Sequence, residues 1–525
     1  MSEAARAAQV SLPQLTQAII AARDAGQRLR AFELACLAAV HEHAGHVQFL
    51  LLREVVQGVE LNNFYPPVKH ALIAAFSFDK VEHQKMAPIW GASFLLDPAL
   101  KERSSLMNDP FVLAGLRKTI ISKVAIEKIF TELRKYLLLE AFPQKILKTK
   151  DITFLSALAE QCFYNEYVWD VTDEEITAVG KLPENDPIAV CLIGCYELLY
   201  KRNIAPKLSA VAGYRQMMKT QVDNLRREEE LKQSIETLKM SGSEVSKDVQ
   251  AMYEENPYPR WVSSDFSHII YEDVRGRMLV AGCGTGHALV QAAYIFPNMD
   301  ITAIDLTKSS IAYAMRAAEE CGCDNILFAQ ADIMALDALN EKFDFIECSG
   351  VLHHLADPAA GWKQLVNKLN DGGLMLVSLY NTRVREVITA VREEARKYSP
   401  DPKGIRALRA HIKSLPEDDK LKPISVRRDF FGMSDIRDLV FHVQETTYML
   451  PEIKKMMDGL GLEFIGFKRA PLPAKEGERD LLKWHELELQ NPDHFYGMYE
   501  FLCKKKGEKL NDTAQFITSD VLQVK

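Results

Sequence analysis

Three glycines alternate with other residues in the run RMLVAGCGTGHALV, at Gly282, Gly284 and Gly286. An apolar run ends at Ala281 just before them, and helix-forming text follows. Glycines at such a junction let the backbone turn tightly and approach a ligand without Cβ interference. The start of the next helix offers unpaired N–H groups and a partial positive charge, which suits a dinucleotide or another nucleotide-like ligand. Asp305 closes the next apolar run, 19 residues past Gly286. A carboxylate at that place can accept both ribose hydroxyls.

Spacing narrows the ligand. A dinucleotide fingerprint reads G-x-G-x-x-G or G-x-G-x-x-A. Counted from Gly282 its last position is His287, and from Gly284 it is Leu289, so both fail. A nicotinamide-dependent dehydrogenase is disfavoured on that ground. The G-x-G-x-G form instead resembles the first motif of class I S-adenosylmethionine-dependent methyltransferases.

Further residues fall in step with that family. The resemblance implies S-adenosyl-L-methionine as cofactor, bound by Gly282, Gly284, Gly286, Asp305 and Leu306. Asp332, ending the run FAQAD, matches the position that meets the adenine amino group, with Ile333 beside it. FDFIECSGVLHHL matches the fourth strand and the loop after it, which makes Ser349 a further cofactor-binding candidate. LNDGGLMLVSLY matches the turn into the fifth strand. The fold implied is α/β: a Rossmann-like class I methyltransferase domain with a seven-stranded, mostly parallel sheet, preceded by an all-α N-terminal domain.

His353 and His354 lie in the loop after the fourth strand. Imidazole has a pKa suited to a general base, which makes His353 a catalytic candidate. LHHL also occurs in family members where the histidine serves packing or orientation. The loop does not read Asn-Pro-Pro-Tyr or Asp-Pro-Pro-Tyr. That departs from the pattern of enzymes methylating amino groups of nucleobases or glutamine.

The stretch MYEENPYPRW, residues 252 to 261, precedes the glycine run. Pro257 and Pro259 fix their own φ and push Asn256 and Tyr258 toward extended geometry, giving a stiff arm. Tyr258 and Trp261 are placed to wall a methyl-transfer pocket, because aromatic faces favour a sulfonium cation. Arg260 and Tyr253 are candidates for the cofactor's carboxylate. YEENPYPRW also resembles the lead-in of bacterial methyltransferases with a helical, often tetratricopeptide-type, N-terminal region. FFGMSDIRDLVFHVQE (430–445) and FYGMYEF (495–501) are similar to later landmarks of that group. The resemblance spans about residues 100 to 505 and departs in lacking a repeat of about 34 residues. Between strand-like segments five and six, Arg427, Arg428, His442 and Glu445 are candidate acceptor contacts. His442 and Tyr258 are counted with His353 as catalytic candidates.

These residues need elements to hold them. RMLVAGCG, DITAID, NILFAQAD, FDFIECSG and GLMLVSLY are short apolar runs with room for a helix between each pair, the rhythm of a covered parallel sheet. LEFIGFKRA and FYGMYEFLCKKK read as two late strands. Residues 1 to about 245 read as helical, with apolar residues at spacings of three and four. Thr172 and Glu175 form a capping-box pattern. QMMKTQVDNLRREEELKQSIETLKM reads as one charged, solvated helix ending near Gly242. The expected division is 1–95 and 96–247 helical, 248–385 the cofactor-binding core, 386–450 a helical insertion, 451–505 the last strands, and 506–525 a loosely held tail.

Composition bounds the partners. The chain has 525 residues and a net charge of -8. It carries no footprint for phosphate backbones, which argues against nucleic acid. Nine cysteines, odd in number and scattered, point to reduced thiols and a cytoplasmic address. Cys321 and Cys323 form a lone C-x-C without the second cluster that a zinc site needs, so no metal is expected. The opening residues lack a secretory pattern, and no run has the length of a membrane span. A helical region of this size suits binding of a protein acceptor, homodimerisation, or covering of a small-molecule pocket. Two functions follow: methyl transfer to a protein side chain or a small molecule, or a helical scaffold with a cofactor-binding but inactive methyltransferase domain.

Overall fold

In the computed structural model the five apolar runs lie side by side in one sheet, because each is apolar on both faces and needs cover on both. The structure describes residues 11–204, 212–266, 269–468, 480–491, 494–495 and 497–523. The strands are β1 (Glu236–Thr237), β2 (Arg277–Ala281), β3 (Asp300–Asp305), β4 (Ile326–Gln330), β5 (Phe343–Ser349), β6 (Leu369–Tyr380), β7 (Leu462–Phe467) and β8 (Met498–Lys505). Their order is β1-β4-β3-β2-β5-β6-β8-β7. All neighbours run parallel except β8, which is antiparallel to both β6 and β7. The sheet thus has the expected seven strands plus the two-residue β1 at one edge.

This sheet belongs to one of two compact units, formed by Arg227–Pro259, Ile269–Lys397 and Arg437–Lys525. Alternate side chains of its strands build two cores. On one face Ile346 and Cys348 of β5 join Trp362 and Leu365 of the helix Pro358–Lys368. On the other, Phe345 of β5 and Val280 of β2 meet Leu289 and Ala293 of the helix after the glycine run. The helices needed below are α1 (Glu244–Glu255), α2 (His287–Ile295), α3 (Lys308–Cys321) and α4 (Asp512–Gln523). The tail from 506, expected to be loose, instead forms α4. Ala514 and Ile517 are fully buried in the second core, so apolar burial on one helix face holds it.

The charged run expected as a single helix is broken. It forms Ala212–Met218, a π turn and Asn224–Ser234, and then β1, which pairs with β4, before α1 begins at Glu244. Residues 469–470 of LEFIGFKRA and Tyr496 of FYGMYEF lie outside the described residues, as do residues 1–10.

The other unit comprises Met1–Arg226, Arg260–His268 and Tyr398–Ile436, and it is helical. Its core holds Trp90, Trp169, Phe111, Phe130 and Phe154 at near-zero exposure. Thr172 and Glu175 make the expected capping box. Much of the insertion expected at 386–450 belongs here. Arg409 is fully buried, with Glu127 at 2.6 Å and bonds to the carbonyls of Val168 and Phe430. A buried guanidinium needs this full set of acceptors.

Candidate active site

The glycine run is the turn from β2 into α2. Gly282 and Cys283 donate their N–H groups to the Ile304 carbonyl at 2.8 and 2.9 Å, which ties the loop to β3. Gly284 N–H donates to Asp305 Oδ2 at 2.9 Å. Asp305 Oδ1 accepts from the backbone and hydroxyl of Thr307, both at 3.0 Å. Desolvation pushes the Asp305 carboxyl above its ordinary value, opposed by these hydrogen bonds. Two glycines are fixed by packing. At Gly282, with φ +82°, a Cβ would stand 2.3 Å from the Val351 side chain. At Gly286, also at +82°, it would stand 2.7 Å from Ala314 Cβ on α3.

A cavity of about 390 Å³ opens above this loop, entirely within the sheet unit. Its lining includes Gly282, Gly284, Asp305, Leu306, Asp332, Ile333 and Ser349. Tyr253, Tyr258, Tyr380, His354 and Asp438 line it as well. Asp332 caps a helical turn through Met334 N–H at 2.9 Å, and its second oxygen accepts from the Ser241 hydroxyl.

The proline arm reaches this loop. Thr285 donates its hydroxyl to the Pro259 carbonyl, and the Tyr258 carbonyl lies 3.0 Å from where a Cβ on Gly284 would be. The Tyr253 and Tyr258 rings are near parallel, with centroids 6.4 Å apart. Tyr253 donates its hydroxyl to Asp438, and burial pushes that phenol well up. Arg437 holds the arm's start through Glu255 and Asn256, both at 2.6 Å. Arg260 and Trp261 belong to the helical unit instead. Arg260 sits 3.5 Å from Glu166 and over the Phe163 ring, and it is not among the cavity-lining residues.

The histidines divide differently from the sequence expectation. His354 lines the cavity and His353 does not. His353 is fully buried, stacked on Tyr380 at 3.7 Å, with neither ring nitrogen hydrogen-bonded among the described residues. Arg385 covers Tyr380 with its guanidinium 3.8 Å from the ring centroid. His354 donates Nδ1–H to the Gln444 carbonyl at 2.8 Å, which leaves Nε2 with its lone pair. His442 stacks on His354 at 3.7 Å, outside the cavity lining, and its Nδ1 accepts from Gln444 N–H at 3.1 Å. Burial pulls His354 down to about 4, His442 to about 2, and His353 well below the ordinary range.

His354, Asp438 and His442 bring three donor atoms within 4.8 Å of one another. As metal ligands they fit poorly. The hydrogen bond into His442 Nδ1 keeps that ring's proton on Nε2, and Arg385 and Arg392 add positive charge nearby. Of the remaining acceptor candidates, Glu445 binds Arg385 and Arg392, Arg428 pairs with Asp435, and Arg427 belongs with Arg428 to the helical unit.

Residues 273–431 match the protein-family model described as Methyltransferase domain. This stretch is a class I methyltransferase domain. Its cofactor is S-adenosyl-L-methionine. Among curated relatives, the chain is 32% identical over 206 residues to an uncharacterized protein, syc1184_c, of Synechococcus sp., covering 37% of this chain and 48% of that one. It is 31% identical over 121 residues to a malonyl-[acyl-carrier protein] O-methyltransferase of Bacillus cytotoxicus, covering 23% of this chain and 41% of that one. The chain thus spans about half the length, or less, of these relatives. Among solved structures, PKMT2 from Rickettsia typhi in complex with AdoHcy has a TM-score of 0.36 and 21% identity, over 46% of this chain and 51% of that one.

The methyltransferase domain contains cavity residues that the motif spacing did not single out: Glu347, His354 and Tyr380, with Asp438 just beyond it. Glu347 had a visible signal, a carboxylate inside the otherwise apolar centre of FDFIECSG. Asp438 had none, since it stands among ordinary helix charges.

Proposed function

We propose that this chain transfers the methyl group of S-adenosyl-L-methionine to an acceptor nucleophile seated among Tyr253, Tyr258, Tyr380, His354 and Asp438. The observation that supports this is one cavity lined both by the glycine loop, Asp305 and Asp332 and by that aromatic, polar set. Gly282, Gly284, Asp305, Leu306, Asp332, Ile333 and Ser349 would hold the cofactor. When bound, it supplies a sulfonium methyl open to direct displacement, the C–S electron pair staying on sulfur.

The chain then has to position and to exclude water. The arm from Tyr253 to Pro259 walls the cavity and is tied to the glycine loop through Thr285. An acceptor that must lose a proton needs a base within reach. His354, neutral at working pH and free at Nε2, is that base in this proposal, with His442 holding it from behind. His353 positions Tyr380.

The test is transfer of labelled methyl from the cofactor to fractionated pools of proteins and of small metabolites. Label in one pool supports the proposal and gives the acceptor class. Cofactor binding with no transfer to either pool would favour an inactive, binding-only domain.

A further inference from the structure

Strand β5 carries a carboxylate at its centre. Glu347 stands between Ile346 and Cys348, both fully buried, and is itself 8% exposed, yet it lines the cavity. Its register partner on β2 is Val280. β2 itself brings only the apolar Val280 and Ala281 to the start of the glycine loop. The other acidic groups of the wall are engaged: Asp305 by Gly284 and Thr307, Asp332 by Met334 and Ser241, and Asp438 by Tyr253. Glu347 has no ion pair among the described residues, and accepts one long hydrogen bond, from Ser349 Oγ at 3.4 Å. A cation that enters the cavity therefore meets a carboxylate with no cation of its own among the described residues.

Sheet order says which part of the cofactor that cation is on. Across the crevice run β4 with Asp332 just past its end, β3 with Asp305 at its end, β2 with the glycine loop, and then β5 with Glu347. The two carboxylates suited to adenosine lie on one side of the loop, and Glu347 lies on the other. A ligand whose adenosine is over β3 and β4 reaches β5 with its amino-acid end.

We propose that Glu347 binds the ammonium group at the amino-acid end of the cofactor. This rests on S-adenosylmethionine occupying the cavity. A charge-assisted contact of this kind fixes the end of the ligand remote from adenine, and with it the direction of the methyl.

The experiment is calorimetric titration of the full chain, wild type and Glu347→Gln, with three ligands. S-adenosylhomocysteine has the ammonium and a neutral sulfur. S-adenosylmethionine has both cations. 5′-Methylthioadenosine has neither. Expected is a loss of roughly tenfold or more for the first two, equal within about twofold, and no change for the third. Glu347→Asp, which keeps the charge on a shorter arm, is expected to fall between. Equal loss for all three ligands would make Glu347 a support of the loop and overturn the assignment. Loss confined to S-adenosylmethionine would move the contact to the sulfonium and also overturn it, as would no loss at all. Failure of the wild type to bind any of the three would overturn the cofactor site itself, a separate result.

Discussion

Gly284 N–H and the Asp305 carboxylate are 2.9 Å apart, a bond that joins the loop after β2 to the end of β3. Removing the carboxylate therefore unties the loop as well as taking away a ribose acceptor. Asp305→Ala is expected to weaken S-adenosylhomocysteine by roughly ten- to a hundredfold, as for loss of hydrogen bonds to a charged group. Asp305→Asn, which keeps an acceptor for Gly284, should lose less. Calorimetry on both variants checks the order.

Gly282 and Gly286 should fail in different ways. Alanine at 282 drives a Cβ into Val351 inside the cavity wall, so it should abolish cofactor binding. Alanine at 286 clashes with Ala314 between α2 and α3. It should lower the melting temperature, while the folded fraction still binds cofactor. Thermal unfolding run beside titration separates the two, and identical behaviour would contradict the separation.

Arg260 is a test of the arm. Its partner is Glu166, in the helical unit, at 3.5 Å with both side chains largely buried. Arg260→Ala leaves that carboxylate without its cation and should cost roughly 3 kcal/mol of stability. S-adenosylhomocysteine affinity should stay within about twofold. A large drop in affinity without a drop in stability would return Arg260 to the cofactor site.

The stacked histidines set a pH dependence. His354 and His442 sit near 4 and 2 when folded against 6.5 ordinarily. The unfolded chain therefore takes up protons first as pH falls through 6.5. Stability should drop progressively from there to about 4, where His354 protonates in the folded state too, and His442 should extend the drop lower. His442→Phe keeps a ring on His354 and removes one titrating group. The difference in melting temperature between pH 7.5 and about 5 should be smaller in that variant than in wild type.

Much of the sheet was legible because parallel strands covered on both faces leave unbroken apolar runs, as in RMLVA and DITAID. The loop residues Gly282, Gly284 and Asp305 were legible because their chemistry depends on local spacing. His354 was not separable from His353, since which ring meets a cavity depends on the turn Leu352–His354 and on Gln444, 90 residues away. Nothing local separates Arg260 and Trp261 from the arm, because the unit boundary falls after Pro259, inside a run that looks continuous. The tail helix was missed because Ala514 and Ile517, its buried residues among those described, make a weak apolar stripe that only the sheet completes.

The three alternating glycines have three different neighbours: Val351, the arm at Tyr258, and Ala314. Each position is therefore tied to a separate partner elsewhere in the chain. Among relatives, a side chain tolerated at 284 should coincide with a changed or absent proline arm, and one tolerated at 282 with a smaller residue at 351. A bulkier residue at 314 should never accompany anything but glycine at 286. Paired substitution patterns, rather than the motif alone, would then distinguish chains that keep this arm from those that carry only the loop.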